Sequence, residues 1–276
     1  MEISAALVKQ LRDRTGLSMM ECKKALAENG GDMDKAIDYL RKRGLAKASE
    51  MASREATQGR IACFVDEAAG RAGMVELRCE TAPVAATDDF IKLADLLARH
   101  AAQTDNPTAD AIFAQQALDG SGRSVKDIFD AAFNRLRENL QVARIASARG
   151  SIGHYLHHNA QVGVLVEMST DCDAEAKRGV CMHVAFARPP YIRRDEVDPT
   201  RVEQERALAR EQVKDKPANI IDKIVEGKLN TWFAEVCLLD QGYVKEDGKR
   251  SVQAYLSSVK PGLTINRCIR FEVGGS

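Results

Sequence analysis

The stretch SMMECKKALAENGGDMDKAIDYLRKRG, residues 18–44, contains the clearest helix signals in the chain and decides the fold of its N-terminal part. Ser18 and Glu21 have the Ser-x-x-Glu spacing of a capping box, which predicts that a helix begins there. The Asn-Gly-Gly sequence at 29–31 predicts the end of that helix, because glycine readily adopts the left-handed conformation that closes helices. Asp32 predicts the start of a further helix, whose apolar residues recur at the i, i+3, i+4 and i+7 positions of one buried face.

Another helix precedes this stretch and completes a small module. Ser4 is placed to cap it, and the Thr-Gly pair at 15–16 predicts its end. The basic residues and glycine at 42–44 predict the end of the last helix. We therefore expect a three-helix module over residues 1–45. A module of this size buries little apolar surface, which favours docking on a larger partner.

The rest of the chain predicts a connector and a two-part core. Residues 46–58 are rich in alanine and polar side chains and predict a helical or flexible connector. Beyond them, β-prone runs at 59–65 and 73–79 flank a short polar turn and predict a hairpin, which helices follow. The order of hairpin and helix then begins again. We predict an α+β core of antiparallel strands and helices with two related subdomains, at 59–149 and 150–276.

The second subdomain contains helix-forming segments on both sides of the Lys-Pro pair at 216–217. Two helices across a short loop predict an antiparallel helical hairpin inserted at about residues 199–231. Residues 233–239 predict a return to the sheet. Apolar residues alternate along 263–273, which is the pattern of a final strand with one buried face.

The composition is that of an ordinary globular protein. Of 276 residues, 45% are apolar and 29% are charged, and 40 basic residues balance 40 acidic ones for a formal charge of +0. This balance gives no general attraction to nucleic acid or to anionic membranes. No segment approaches the ~20 apolar residues of a membrane helix, and the N-terminus lacks the basic region of a signal peptide, so we expect a cytoplasmic protein. Seven scattered cysteines without metal-ligand spacing predict reduced thiols.

The motifs typical of phosphate, dinucleotide, zinc and hydrolytic sites are missing from the sequence, so we expect no cofactor, no metal and no catalytic residue. His154, His157 and His158 lie in a predicted hairpin near Glu167 and Asp171, where such a cluster would suit acid–base work or metal binding. Strand alternation would send His157 and His158 to opposite faces. This favours histidines that face solvent or a surface contact over a shared site.

Met19 and Met20 are candidate contact residues of the N-terminal module. On a helical wheel Met19 shares the buried stripe, whereas Met20 falls off it, so we expect Met20 to be partly exposed. An exposed methionine adapts to different apolar surfaces, and the nearby cations Lys9 and Arg12 suit a groove with an acidic rim. The alternative is an irregular bundle that buries both methionines.

Several longer motifs occur in a fixed order in the N-terminal module: LVKQLR at 7–12, RTG at 14–16, MMECKKAL at 19–26 and GDMDKAIDYLRKRG at 31–44. Others occur further along the chain: VGVLV at 162–166, MHVA at 182–185, KIVEGKL at 223–229 and IRFEV at 269–273. Together they closely resemble bacterial elongation factor Ts, over nearly the full length of the chain.

The resemblance implies a nucleotide exchange factor that promotes GDP release from the GTPase elongation factor Tu. It also implies a ubiquitin-associated-like N-terminal module and a heterodimer or higher assembly with that GTPase, without direct contact to nucleic acid or membrane. The contact residues that it implies are Lys9, Arg12, Met19 and Met20 in the module, and His157, Met182, His183, Val184 and Ala185 in the second subdomain.

One motif departs from the family. Thr81-Ala82-Pro83-Val84-Ala85 stands where the family has Thr-Asp-Phe-Val-Ala, so the acidic residue and the aromatic residue that intrudes near the magnesium site of the GTPase are both missing. The stretch lies between a predicted strand and a predicted helix, where Pro83 stiffens the loop. The departure leaves open a binding-only or chaperone-like partner of elongation factor Tu with weak exchange. An enzyme, which would need the histidine cluster, is a third possibility.

Overall fold

The computed structural model describes residues 3–275, apart from the side chains of 45–49 and 218. The helices are α1 (Ala5–Thr15), α2 (Met19–Glu28), α3 (Met33–Met51), α4 (Ala82–Ala85), α5 (Asp88–Gln103), α6 (Ala109–Phe113), α7 (Val125–Leu136), α8 (Ala174–Ala187), α9 (Pro199–Glu211), α10 (Ala218–Val236) and α11 (Val252–Val259). The strands are β1 (Gln58–Asp66), β2 (Arg71–Cys79), β3 (Gln141–Arg149), β4 (Ser151–Leu156), β5 (Val162–Met168) and β6 (Ile265–Glu272).

The first three helices begin where the sequence predicts. The hydroxyl of Ser4 accepts a hydrogen bond from the backbone of α1, and Ser18 and Glu21 form the predicted capping box of α2. Asp32 caps α3 through two backbone N–H groups. Because each cap satisfies donors that a helix start leaves unpaired, these local signals are strong enough to fix where a helix begins.

The predicted end of the third helix is wrong, since α3 continues past Gly44 to Met51. Gly44 has a different role. A Cβ atom there would lie 2.5 Å from the side chain of Asn134, so the glycine allows α7 to approach α3 closely. The helical part of the predicted connector is therefore a continuation of α3, and the boundary between module and core stays a prediction.

Two three-stranded antiparallel sheets form the core, with strand orders β1-β2-β3 and β4-β5-β6. The predicted hairpins β1-β2 and β4-β5 are confirmed. The pattern did not predict β3, because its sequence QVARIASAR is rich in alanine and serine, which have a low strand propensity. Pairing along β2 from Arg71 to Arg78 supplies the backbone hydrogen bonds that make this segment a strand.

The two sheets pack against each other through a shared apolar cluster that includes Ile61, Met74, Leu165 and Phe271. Gly163 allows the close approach, because a Cβ there would lie 2.6 Å from Cγ2 of Ile61. Helix α5 covers β1 and β2, and α8 covers β4 and β5. The chain is thus an α+β protein with a three-helix N-terminal module, as the sequence predicts.

A buried carboxylate fastens the end of the chain to the first sheet. Glu76 on β2 is completely buried and lies between the guanidinium groups of Arg78 and Arg144, at 2.6 and 2.5 Å. The backbone N–H of Gly274 donates to the same carboxylate at 3.0 Å. Since a buried charge is stable only when it is paired, these bonds hold the segment after β6 against β2.

Helices α9 and α10 form the predicted antiparallel hairpin, but the strand predicted at 233–239 is wrong. Helix α10 continues to Val236, because Val225, Leu229 and Phe233 recur every four residues and all lie in the buried seam of the hairpin. After α10, Cys237 forms an isolated bridge with Tyr191 and does not extend either sheet.

Candidate partner-docking surfaces

Helix α2 presents both of its first residues to solvent. The side chain of Met20 is 76% exposed and that of Met19 is 42% exposed, so the alternative in which the bundle buries both methionines is wrong. Further along α2, Cys22 and Leu26 pack into the core of the module. Met19 shares that stripe, but it is the first residue of the helix, where its neighbours cover it only in part.

Exposed basic side chains lie on the same helix as this methionine pair and on the helix before it. Lys9 and Arg12 on α1 are exposed, as are Lys23 and Lys24 on α2. Lys24 lies 3.8 Å from the carboxylate of Glu28, a long i,i+4 ion pair. An apolar tip with a basic rim fits a hydrophobic groove whose edge is acidic.

The motif at 81–85 forms a short exposed turn between β2 and α5. Its residues 82–85 make one helical turn with Pro83 near the start, where a missing N–H costs nothing. Ala82 and Pro83 are exposed, whereas Val84 and Ala85 pack partly against the core of the first sheet. Phe90 is completely buried in the same core, so its ring does not replace the missing aromatic of the motif.

Glu138 holds the base of this turn. Its carboxylate accepts hydrogen bonds from the backbone N–H groups of Glu80 and Thr81, at 3.1 and 3.0 Å, and from the hydroxyl of Thr81 at 2.5 Å. Bonds to an ionised acceptor are stronger than neutral ones, so the turn has a fixed attachment although its tip is solvent-exposed. No sequence motif pointed to Glu138, which lies 57 residues from Thr81.

The second subdomain presents a surface along the C-terminal half of α8. Met182 and Ala185 are partly exposed there. His183 and Val184 are 2% and 1% exposed, so these two hold α8 in place from behind the surface. The sequence interpretation did not single out Phe186, which is 76% exposed, although its spacing of four from Met182 puts it on the outer face of the helix.

His183 has a structural environment. Its Nδ1 accepts a hydrogen bond from the backbone N–H of Val244 at 3.2 Å, so its Nε2 carries the proton and donates to Oε1 of Gln241 at 2.9 Å. Burial lowers the pKa of His183 below its ordinary value, and the bond to Gln241 opposes part of that effect. The ring is thus held neutral as a link between α8 and the segment around Val244.

The histidines after β4 lie in a turn. Because β4 ends at Leu156, strand alternation does not extend to His157 and His158, and the prediction that they lie on opposite faces is wrong. Their rings lie 4.3 Å apart, and Nδ1 of His157 is 2.7 Å from the hydroxyl of Tyr155. Within residues 3–275, no three His, Cys, Asp or Glu side chains are grouped so as to hold a metal ion.

The seven cysteines are free thiols, as the scattered pattern predicts. Burial raises the pKa of Cys63 and of Cys268 to about 12, which keeps these thiols protonated and unreactive. Among the described helices, none is both long enough and apolar enough to cross a membrane.

Comparison with known proteins identifies the family. A family model described as elongation factor Ts matches residues 80–275. The chain is 36% identical over 285 residues to elongation factor Ts of Clostridium botulinum strain Eklund 17B / Type B, with 99% of this chain and 93% of that protein covered. It is 38% identical over 293 residues to elongation factor Ts of Nitratidesulfovibrio vulgaris strain DP4, with 99% and 96% covered.

A third relative is elongation factor Ts of Trichlorobacter lovleyi, 38% identical over 292 residues, with 99% of this chain and 93% of that protein covered. The α+β fold and these matches put the chain among the translation elongation factors. Within that class, it belongs to the elongation factor Ts family.

Proposed function

We propose that this protein is a guanine-nucleotide exchange factor that binds elongation factor Tu and speeds the release of GDP from it. Family membership and the collinear motifs support this function. The observation that carries it is the exposed 81–85 turn, whose tip is accessible while Glu138 and the core hold its base. An exposed turn with a fixed base is what a wedge into a nucleotide site requires.

Exchange of this kind needs no covalent chemistry. The factor binds the nucleotide-free GTPase more tightly than the nucleotide-bound one, and by reciprocity the nucleotide weakens binding of the factor by an equal amount. Displacing Mg²⁺ and the backbone around the phosphates removes charge-assisted bonds to GDP. Each tenfold loss of nucleotide affinity corresponds to about 1.4 kcal/mol of differential binding.

In this mechanism, Met19 and Met20 anchor the N-terminal module, with Lys9 and Arg12 at the rim of the contact. The 81–85 turn acts as a wedge by its shape, because Ala82 carries no charge and Pro83 has no aromatic face. The α8 surface, with Met182, Ala185 and Phe186, supplies contacts from the second subdomain. His157 adds a contact from the turn after β4. We expect a heterodimer or a higher assembly in the cytoplasm, without nucleic acid or membrane in the contact.

One observation favours a second candidate. The missing Asp and Phe side chains would weaken the wedge, so a protein that holds elongation factor Tu without speeding GDP release is the alternative. The two functions differ in a single measurable property, the rate of nucleotide release from the complex.

Stopped-flow release of a fluorescent GDP from the cognate elongation factor Tu tests the proposal, with and without this protein and at several Mg²⁺ concentrations. An exchange factor accelerates release strongly, and most at high Mg²⁺, where the metal otherwise retains the nucleotide. Binding without acceleration would instead assign the protein to the binding-only class.

The docking role of the module has a matched test. Met20→Ala removes an exposed apolar side chain from the proposed contact, and we expect it to weaken the affinity for elongation factor Tu about tenfold. Leu118→Ala is the control, because Leu118 is also exposed but lies outside the proposed surfaces. Equal affinities of the two variants would contradict a contact at Met20.

A further inference from the structure

The chain turns sharply after α7, and two consecutive residues then point to different elements. Arg137 has a left-handed backbone conformation, with φ at 58°. Its backbone N–H donates to the carbonyl oxygen of Phe133 at 2.9 Å and so ends α7. Its guanidinium donates to the carboxylate of Glu21 on α2 at 2.8 Å. Glu138, the next residue, instead binds the base of the 81–85 turn.

The contact at Glu138 is reciprocal. While its carboxylate accepts from Glu80 and Thr81, the carboxylate of Glu80 accepts from the backbone N–H of Asn139 at 2.7 Å. The two segments are thus joined by hydrogen bonds in both directions. The carbonyl oxygen of Thr81 also accepts a hydrogen bond from the thiol of Cys79 at 3.2 Å. This bond fixes the first residue of the turn from its other side.

The bond from Arg137 to Glu21 and the bonds from the 81–85 turn to Glu138 connect the two proposed contact surfaces. Glu21 lies in the first turn of α2, directly after Met20, and Thr81 is the residue from which the 81–85 turn begins. Helix α7 behind them is firmly seated, because Val125, Ala132 and Phe133 are buried in the core. A rigid element thus joins the methionine pair to the turn through Arg137 and Glu138.

We propose that Arg137 and Glu138 are positioning residues that fix where the 81–85 turn stands relative to the methionine pair of α2, an inference that rests on the proposed exchange function. Binding at α2 then delivers the turn to the nucleotide site in one orientation. Without this link, the module still binds, but the turn is held loosely and its displacement of the nucleotide is weaker. The pair therefore governs the rate of exchange more than the affinity.

The test measures GDP release as a function of the concentration of the full-length factor, which separates the saturating rate from the half-saturating concentration. Glu138→Ala should lower the saturating rate about tenfold, in line with the sensitivity of such steps to placement, and change the half-saturating concentration less than about twofold. Glu138→Gln keeps an acceptor oxygen and should give an intermediate rate. Arg137→Met should likewise lower the saturating rate and leave the half-saturating concentration nearly unchanged.

A matched control and a local readout accompany the kinetics. Glu55→Gln removes an exposed carboxylate from the segment between α3 and β1 and should behave as wild type. Hydrogen exchange should accelerate at the amides of Glu80 and Thr81 in Glu138→Ala, because these amides lose their acceptor. A general loss of structure would accelerate exchange throughout the first sheet instead.

The outcomes separate the two proposals. If wild type does not accelerate GDP release, the exchange function fails and the inference fails with it. If wild type is active but Glu138→Ala and Glu138→Gln match Glu55→Gln in saturating rate, the positioning role alone is wrong. A raised half-saturating concentration at an unchanged saturating rate would also overturn it, since that result describes a binding contact. Should Glu138→Ala fail to fold, Glu138→Gln and Arg137→Met decide the question.

Discussion

Ala82 and Pro83 are the two residues of the 81–85 turn that the sequence analysis sets apart from the family motif, and both side chains are solvent-exposed. The double substitution Ala82→Asp with Pro83→Phe introduces the charge and the ring of the family motif at these two exposed positions. We expect it to raise the rate of GDP release about tenfold, equivalent to about 1.4 kcal/mol of additional differential binding.

Stopped-flow kinetics measures this gain, and Ala86→Asp is the control, because it adds a charge at an exposed position just outside the motif. An unchanged rate in the double variant would sink this account of the departure. In that case, the shape of the turn and the contacts of the second subdomain would be sufficient for exchange.

His183 makes the stability of the protein depend on pH. Its folded-state pKa is lowered by burial, so the unfolded chain binds a proton first as the pH falls. The stabilisation is present above the unfolded pKa of about 6.5 and is lost below it, by at most about 1.4 kcal/mol per pH unit.

Urea unfolding at pH 7.5 and at pH 5.5 measures this dependence. We expect the free energy of unfolding to fall less between these two pH values in His183→Gln than in wild type. His158→Gln, which removes an exposed histidine, should retain the wild-type dependence. The same pH dependence in all three proteins would show that His183 does not contribute.

The contact between α5 and β2 depends on one glycine. A Cβ at Gly73 would lie 2.2 Å from the carbonyl oxygen of Ala98 and 2.3 Å from the amide of Ala102, both of them backbone atoms of α5. Since backbone cannot move aside as a side chain can, Gly73→Ala must separate the helix from the sheet. We expect a loss of about 3 kcal/mol in the free energy of unfolding.

Gly227 in α10 is the matched control, because a Cβ there meets nothing within 4 Å. Gly227→Ala should stabilise the protein by about 0.5–1 kcal/mol, the ordinary gain from replacing glycine within a helix. Urea unfolding of both variants measures the difference. A similar effect of the two substitutions would mean that α5 can shift without cost.

At the scale of the whole molecule, the α9/α10 hairpin has an apolar core of its own, apart from the two sheets. Its apolar cluster, built around Val225, Leu229 and Phe233, is separate from the clusters that join the sheets to α5 and α8. The chain has a single tryptophan, Trp232, and it lies on α10 against this cluster.

We therefore expect the hairpin to unfold at a lower urea concentration than the two-sheet core. Trp232 fluorescence reports the first transition and far-UV circular dichroism reports the whole chain. Coincident transitions at every urea concentration would instead mean that the hairpin and the core unfold as one cooperative unit.

Much of the architecture follows from signals within a few residues. The caps at Ser4, Ser18 and Asp32 and the alternation along 263–273 predict elements directly, because the atoms that satisfy one another are close in sequence. The exposed Met20 follows in the same way from its position on a helical wheel. The prediction fails at β3 and at the ends of α3 and α10, where tertiary partners decide.

The sequence by itself determined the helix starts, the two hairpins of strands, the methionine pair and the departure at 82–83, since each depends on local spacing and residue type. Only the tertiary structure decided that Gly44 serves a helix contact, that α10 extends along the hairpin seam, and that Glu138 fixes the 81–85 turn. The physical reason is common to these cases: the deciding contact joins residues that the chain separates widely, and no local pattern encodes such a partner.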